Sequence, residues 1–333
     1  ELTPLTALAT HALFERATAG MDVPADLTQV LLGDGVVGAQ LVAHEGIAIV
    51  SATGSTAMGR KVAPVVAARF GRSILELGGN NAAIVAPSAD MELVVRGVTF
   101  SAAGTAGQRC TSLRRLIVHR SRLEEVTSRL ATAFGSLPVG SPLDSNTLVG
   151  PLVNMTAFDR MQAALTTAQA DGGSVVVGGE RHLADEAPAA AYVRPAIAVM
   201  PGQTEIVATE TFAPILYVLT YDSFDQAVHL QNDVPQGLAS SIFTTDVREA
   251  ERHAYAEWPG SQIVAALVKE FGIYPPGELV FLANGERAVV SRRGASMQTP
   301  QVAALTDKRG MPSHQAVRRD TALERHITVV RLV

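Results

Sequence analysis

Cysteine is nearly absent: the 333 residues hold one, Cys110. A single thiol cannot close an intramolecular disulfide, which excludes a disulfide-stapled scaffold and points to a reducing, cytoplasmic setting. Long apolar runs are also missing. No stretch of roughly 18 or more apolar residues occurs, so no membrane-spanning helix is expected. The first residues show no basic stretch followed by an apolar segment and a small-residue cleavage site, so no secretory leader is expected. Positive charge is in deficit, 27 Lys and Arg against 32 Asp and Glu for a net charge of −5, which argues against a nucleic-acid or anionic-membrane partner. Arg114-Arg115 and Arg318-Arg319 read as solvated faces. The eight histidines show no His-x-x-x-His spacing and no carboxylate pairing of the kind that makes a metal site.

With 47% hydrophobic and 18% charged residues, the chain has the make-up of a globular protein long enough for two or more domains. Residues 3 to 19 read as a helix, with Thr3 as N-cap, Pro4 in the first turn and Leu5, Leu8, Ala9, Ala12 and Leu13 on one face. Short apolar runs at Val30 to Leu32, Ile47 to Val50, Ile74 to Leu77 and Ala83 to Val85 alternate with helical stretches such as Met58 to Phe70. That is the βαβ rhythm of a parallel sheet. It continues with predicted helices at Met91 to Gly104, Arg122 to Phe134, Phe158 to Gln169 and Phe224 to Gln231. Predicted strands lie between them at Leu116 to His119, Tyr192 to Val199, Ile215 to Tyr221 and Ser240 to Thr244. After Trp258-Pro259-Gly260 the texture changes, with a helical reading for Ser261 to Gly272 and a hairpin signal at Asn284-Gly285.

Four runs carry chemistry. Cys110 sits in Gly107-Gln108-Arg109-Cys110-Thr111-Ser112. A lone cysteine ordinarily packs as a small buried hydrophobe, but small polar neighbours and the adjacent Arg109 suit a reachable thiol whose thiolate is stabilised. Glu76, at the end of an apolar strand and before Gly78-Gly79, would be partly desolvated and so suited to act as a general base; the plainer reading is a strand-end carboxylate bonded to loop amides. Thr53-Gly54-Ser55-Thr56 with Gly59 lies between a strand and a helix, where a helix N-terminus offers N–H groups to a pyrophosphate; the plainer reading is a turn with an N-cap. In Glu210-Thr211-Phe212-Ala213-Pro214 the carboxylate suits a ribose hydroxyl and the ring a planar ligand, against the alternative of a loop anchored by a buried phenylalanine.

Taken in order, these motifs resemble the aldehyde dehydrogenase superfamily, and the runs Glu76 to Ala86, Phe100 to Arg115 and Glu210 to Leu216 are most similar to its α-aminoadipic semialdehyde dehydrogenase branch, over about residues 1 to 254. The resemblance implies an α/β fold, with a partial Rossmann-type parallel sheet, a partial dinucleotide-binding domain at 1–84 and an α/β catalytic domain at 85–255; the change of texture after residue 260 marks a small β-rich appendage of different origin at 261–333. It implies NAD as cofactor, with NADP possible, and a small-molecule aldehyde as substrate. Cys110 would be the nucleophile and Glu76 the base. Glu1, Thr53, Gly54, Ser55, Gly59, Leu77, Gly78, Glu210 and Phe212 would meet the cofactor, with Glu1 at the adenosine ribose, Ser55 at the pyrophosphate and Glu210 at the nicotinamide ribose. Arg109 and Thr111 would meet the substrate, Arg109 either facing an acidic aldehyde or held in a structural ion pair.

Family members also carry a long amino-terminal segment, with an asparagine that completes the oxyanion hole, and a closing oligomerisation strand; neither occurs in these residues. Losing one oxyanion donor costs on the order of 10²–10³ in rate. Two further readings therefore stand beside the dehydrogenase: an inactive remnant with exposed sheet edges, and a cofactor-independent thiol esterase. The final segment, with Gly272-Ile273-Tyr274-Pro275-Pro276-Gly277, Leu282-Ala283-Asn284-Gly285-Glu286 and Arg292-Arg293-Gly294, resembles the tail of HD-GYP-type cyclic-dinucleotide phosphodiesterases. The His-Asp metal cluster of that family is missing here, so a signalling role for the tail is disfavoured.

Overall fold

Short apolar segments of four to seven residues assemble the main sheet: β3 (Asn81–Val85), β4 (Leu113–His119), β5 (Ser174–Val177), β6 (Ala196–Val199), β7 (Ile215–Tyr221) and β8 (Ser240–Phe243). Their order is β5-β6-β7-β4-β3-β8. Every pairing is parallel except that of β5 with β6. In β3 and β4 nearly every residue is buried, as expected of strands covered on both faces. The computed structural model that shows this describes residues 2–24, 26–246, 249–250, 253, 279–296, 299–323 and 327–332.

Alternation along each strand feeds two cores. Ile84 and Ile117 join Met161, Leu165 and Val207 on one face, from α6 (Met155–Ala170) and α7 (Glu205–Ala208). Val85, Leu116 and Val118 join Val94, Val98, Leu130 and Phe134 on the other, from α4 (Met91–Ala103) and α5 (Leu123–Gly135). Each such aliphatic side chain contributes about 1.5–3 kcal/mol when fully buried. Side-chain caps start the helices where sequence signals place them: Asp90 accepts from Glu92 N and Leu93 N on α4, and Ser223 accepts from Gln226 N on α8 (Phe224–Asn232).

Ahead of this sheet lie α1 (Pro4–Thr18), α2 (Gly35–Ala43), α3 (Thr56–Ala68) and a parallel pair, β1 (Ile49–Thr53) and β2 (Arg72–Glu76). Val50, Ala52 and Leu75 turn inward onto Val62 and Val66 of α3. The register pairs Ile49 with Arg72, Ser51 with Ile74 and Thr53 with Glu76, which sets those six side chains on one exposed face. Thr3 occupies the N-cap of α1 without a side-chain bond, and Leu5, Leu8 and Leu13 are exposed. The strand expected at Val30 to Leu32 does not form. Instead Asp34 caps α2 by accepting from Val36 N and Val37 N, a helix whose two glycines hide it from propensity.

The chain divides into two compact units, Glu1–Phe243 and Thr244–Val333. The second contains an antiparallel sheet of order β12-β11-β10-β9-β13, formed by β9 (Leu279–Leu282), β10 (Arg287–Ser296), β11 (Thr299–Thr306), β12 (Pro312–Asp320) and β13 (Val329–Leu332). Val280, Leu282, Ala288, Val290, Val302 and Ala304 make its core. The expected turn at Asn284-Gly285 joins β9 to β10, with Gly285 at φ +91 and Asn284 Oδ1 accepting from Glu286 N. The readings at Glu1, Trp258 to Gly260, Ser261 to Gly272 and Gly272 to Gly277 lie outside the described residues.

Candidate active site

The run Glu76-Leu77-Gly78-Gly79 is where the sequence motifs meet: Glu76 and Leu77 touch the run at 53–59, Gly78 touches Glu210, and Gly79 touches both Glu210 and Cys110. Glu76 pairs with Thr53 across β1 and β2, and its carbonyl accepts from Gly54 N at 3.0 Å. Leu77 fills the space beside Gly59, where a β-carbon would meet its Cδ1. Gly78 lies under the carboxylate of Glu210, which a β-carbon there would strike. Gly79 backs onto the carbonyl of Cys110, 2.9 Å from where its own β-carbon would lie, and donates its N–H to Glu210 Oε1 at 3.2 Å.

Cys110 follows a short 3₁₀ segment, Gly104–Gly107, in which Thr105, Ala106 and Gly107 stand at φ 55, 51 and 68. Left-handed backbone costs a non-glycine residue about 1–2 kcal/mol, so the segment stores strain that its surroundings must hold. At Gly107 glycine is required twice over, by the positive φ and by the backbone of Ala213, 2.5 Å from an added β-carbon. A tight turn then presents Cys110: Ser112 N donates to Arg109 O at 3.0 Å and Arg109 N to Ser112 Oγ at 3.1 Å. Cys110 is half-buried and Thr111 exposed. Gln108 ties the loop down, accepting from Val153 N at 2.8 Å and donating to Pro151 O.

Two residues that sequence reasoning missed hold the whole arrangement. Asn81, buried at the start of β3, uses its amide fully: Nδ2 donates to the carbonyls of Cys110 and Ser112, both at 2.8 Å, and Oδ1 accepts from Leu238 N and Ala239 N. Arg114 is 2% exposed and Arg115 0%, so the expectation of a solvated face is wrong at both. Arg114 donates to the carbonyls of Gly79, Gly107, Arg109 and Thr211 and pairs with Glu210 Oε1 at 3.1 Å. Burial pushes its guanidinium pKa below the ordinary value, with the Glu210 carboxylate opposing. Arg115 donates to Asn80 O, Leu230 O, Gln231 O and Gln203 Oε1. The available signal was position: two arginines in the apolar run Leu113 to Val118 are threaded through a buried strand, and a buried guanidinium demands acceptors.

Other expectations need correcting. Glu76 is exposed rather than partly desolvated, because it ends a strand on the open face of the two-stranded sheet. Phe212 is 46% exposed and does not anchor its loop; the Arg114 guanidinium lies 5.3 Å from its ring. Arg109 makes no ion pair among the described residues. Its side chain folds back on the end of α4, donating to Phe100 O at 3.2 Å and stacking over that ring at 5.1 Å. Ser55 does cap α3, accepting from Met58 N at 3.1 Å.

A sequence model of the aldehyde dehydrogenase family matches residues 1–259. The chain belongs to the aldehyde dehydrogenase family. Within that family it is 43% identical over 249 residues to an aldehyde dehydrogenase family 7 member A1 homologue of Caenorhabditis elegans, covering 74% of this chain and 46% of the relative. It is 42% identical over 246 residues to the alpha-aminoadipic semialdehyde dehydrogenase of Bos taurus, covering 74% and 45%. The fold matches a betaine aldehyde dehydrogenase of Staphylococcus aureus in complex with NAD+ with a TM-score of 0.72 at 28% identity, covering 76% of this chain and 50% of that one. The chain thus spans about half the length of the relatives it matches. Among the described residues no group of three or more His, Cys, Asp or Glu is placed to hold a metal, and no helix is long and apolar enough to cross a membrane.

Proposed function

We propose that this chain carries out the NAD-dependent oxidation of an aldehyde to its carboxylic acid, with Cys110 as nucleophile and Glu76 as base. The observation that carries the reading is the convergence of three motifs on a fourth, residues 76 to 79, which sets the thiol loop, the turn before Ser55 and Glu210 around the short segment that begins with the strand-end carboxylate Glu76. The residues suit the cofactor. Glu210 has Oε1 anchored and Oε2 over the bare backbone of Gly78, an acceptor for ribose hydroxyls; Phe212 offers an exposed ring; and α3 begins at Ser55 with a helix N-terminus for a pyrophosphate. Thr53, Gly54, Gly59 and Leu77 shape the backbone between them. NAD, when bound, supplies the acceptor for the aldehyde's hydride.

The chain's own residues do the rest. The Cys110 thiolate forms a bond to the aldehyde carbon, and the carbonyl electron pair moves to oxygen, where the Cys110 backbone N–H meets it. After hydride loss the acyl group is held on sulfur as a thioester. Glu76 takes a proton from water, the resulting hydroxide adds to the thioester carbon, and the C–S bond breaks to return the thiolate. Its exposure leaves Glu76 in contact with the water it must activate.

For substrate, we infer a semialdehyde that carries a carboxylate, such as α-aminoadipic semialdehyde. Arg109 adjoins the nucleophile and Thr111 is exposed beside it; leaving Phe100, the Arg109 guanidinium would meet such a carboxylate. The test is NADH absorbance from folded protein incubated with NAD and that semialdehyde, beside Cys110→Ala. A thiol-dependent rise is expected; a flat trace from folded protein sinks the reading.

A further inference from the structure

We propose that Arg114 is a positioning residue, whose buried guanidinium sets the Cys110 turn, the Gly79 backbone and Glu210 in one register. The inference rests on the dehydrogenase reading and deepens it. Four of its bonds go to main-chain carbonyls on three segments far apart in sequence: Gly79 at 3.2 Å, Gly107 at 3.2 Å, Arg109 at 3.1 Å and Thr211 at 2.9 Å. The fifth goes to the Glu210 carboxylate at 3.1 Å. No side chain with fewer donors spans that set, since a guanidinium offers five N–H groups in a fixed plane and an ammonium three on one atom.

The geometry ties Arg114 to the thiol loop. Two of its acceptors join the elements that present Cys110: Gly107 ends the left-handed segment and Arg109 begins the turn, and the thiol lies within electrostatic range of the guanidinium. Removing the fork releases a strained loop that these bonds hold closed. Arg115 is buried as deeply, but its bonds to Asn80, Leu230, Gln231 and Gln203 reach no residue of the thiol loop. The two arginines therefore form an internal control: equal burial on adjacent residues, with different attachments.

The lone cysteine makes the test specific. In the full chain, Arg114→Lys and Arg115→Lys are compared by the rate at which iodoacetamide alkylates Cys110, followed by intact mass, with circular dichroism and melting temperature recorded for each. Lysine keeps the positive charge, so a changed rate reports geometry. The expected result is labelling faster by about fivefold or more in Arg114→Lys, because small displacements of a reacting group change rates steeply, and a rate near wild type in Arg115→Lys at a comparable melting temperature. Wild-type labelling in folded Arg114→Lys, or the same acceleration in both variants, overturns the proposal. If Arg114→Lys does not fold, Glu210→Gln takes its place: weakening the Arg114 pair should speed labelling in the same direction, and an unchanged rate overturns the proposal. Labelling needs neither cofactor nor turnover, so a chain that labels as expected yet forms no NADH refutes the activity alone.

Discussion

Glu210 lies directly over Gly78, so that its carboxylate occupies the space a β-carbon would need while Oε1 accepts from Gly79 N at 3.2 Å. Two motifs distant in the sequence thus share one van der Waals surface, and a methyl group at residue 78 is a probe of it. Gly78→Ala should push the Glu210 carboxylate off its bonds to Gly79 N and Arg114, at a cost of about 1.5–3 kcal/mol. Calorimetry should also show weaker NAD binding, by about tenfold, if Glu210 holds the ribose. Unchanged affinity would remove Glu210 from that role.

The division of labour between thiol and carboxylate is separable by kinetics. Cys110→Ala should abolish NADH formation, whereas Glu76→Gln should retain a single-turnover burst and then stall at thioester hydrolysis. A normal steady state in either variant would strip that residue of its assignment.

Substrate choice can be read from Arg109. Arg109→Ala should raise KM about tenfold or more for a carboxylate-bearing aldehyde and leave a neutral aldehyde of similar length nearly unaffected, since a charge-assisted pair contributes about 1.5–3 kcal/mol. Equal effects on both substrates would assign Arg109 to the end of α4, where it stacks on Phe100.

Gly107 is the least replaceable residue of the thiol loop. Gly107→Ala should destabilise the chain by about 2–4 kcal/mol, combining left-handed backbone with a collision against Ala213 that neither backbone can relieve cheaply. Thermal melts would show it; a shift below about 1 kcal/mol would mean that the loop adopts another path.

Acid should weaken the β-rich unit through Glu286. The hydrogen bond from Arg319 holds this carboxylate's pKa below its ordinary 4.5, so its contribution is fully present above that value and is lost as pH falls through the lower folded value. Between pH 5 and about 3 the wild-type chain should lose more stability than Glu286→Gln, measured by melting of the full chain. Parallel pH profiles would contradict this linkage.

Much of the fold is legible in residue order. The period-3.6 pattern predicts helices at Met91 to Gly104 and Arg122 to Phe134 within a residue or two of α4 and α5, and the Asn-Gly turn at 284 is where local chemistry places it. The misses have local causes. Val30 to Leu32 is apolar without being a strand, because no strand among the described residues pairs with it, and α2 contains two glycines that propensity counts against it. Where the Arg109 side chain rests is equally illegible from its place beside Cys110, because its direction is set by the carbonyl and ring of Phe100 at the end of α4.

The sequence by itself determined the family chemistry: which residue types are present, in what order, and that Cys110 is the one thiol available. Tertiary structure alone decided which of them meet, because contacts between residues 78 and 210, 79 and 110, or 107 and 213 depend on how parallel strands align their ends. It also decided the fate of charge. A pair of arginines reads as solvated wherever it is written, but at 114 and 115 the β4 strand carries it into the interior, where converging main-chain carbonyls replace the water it loses.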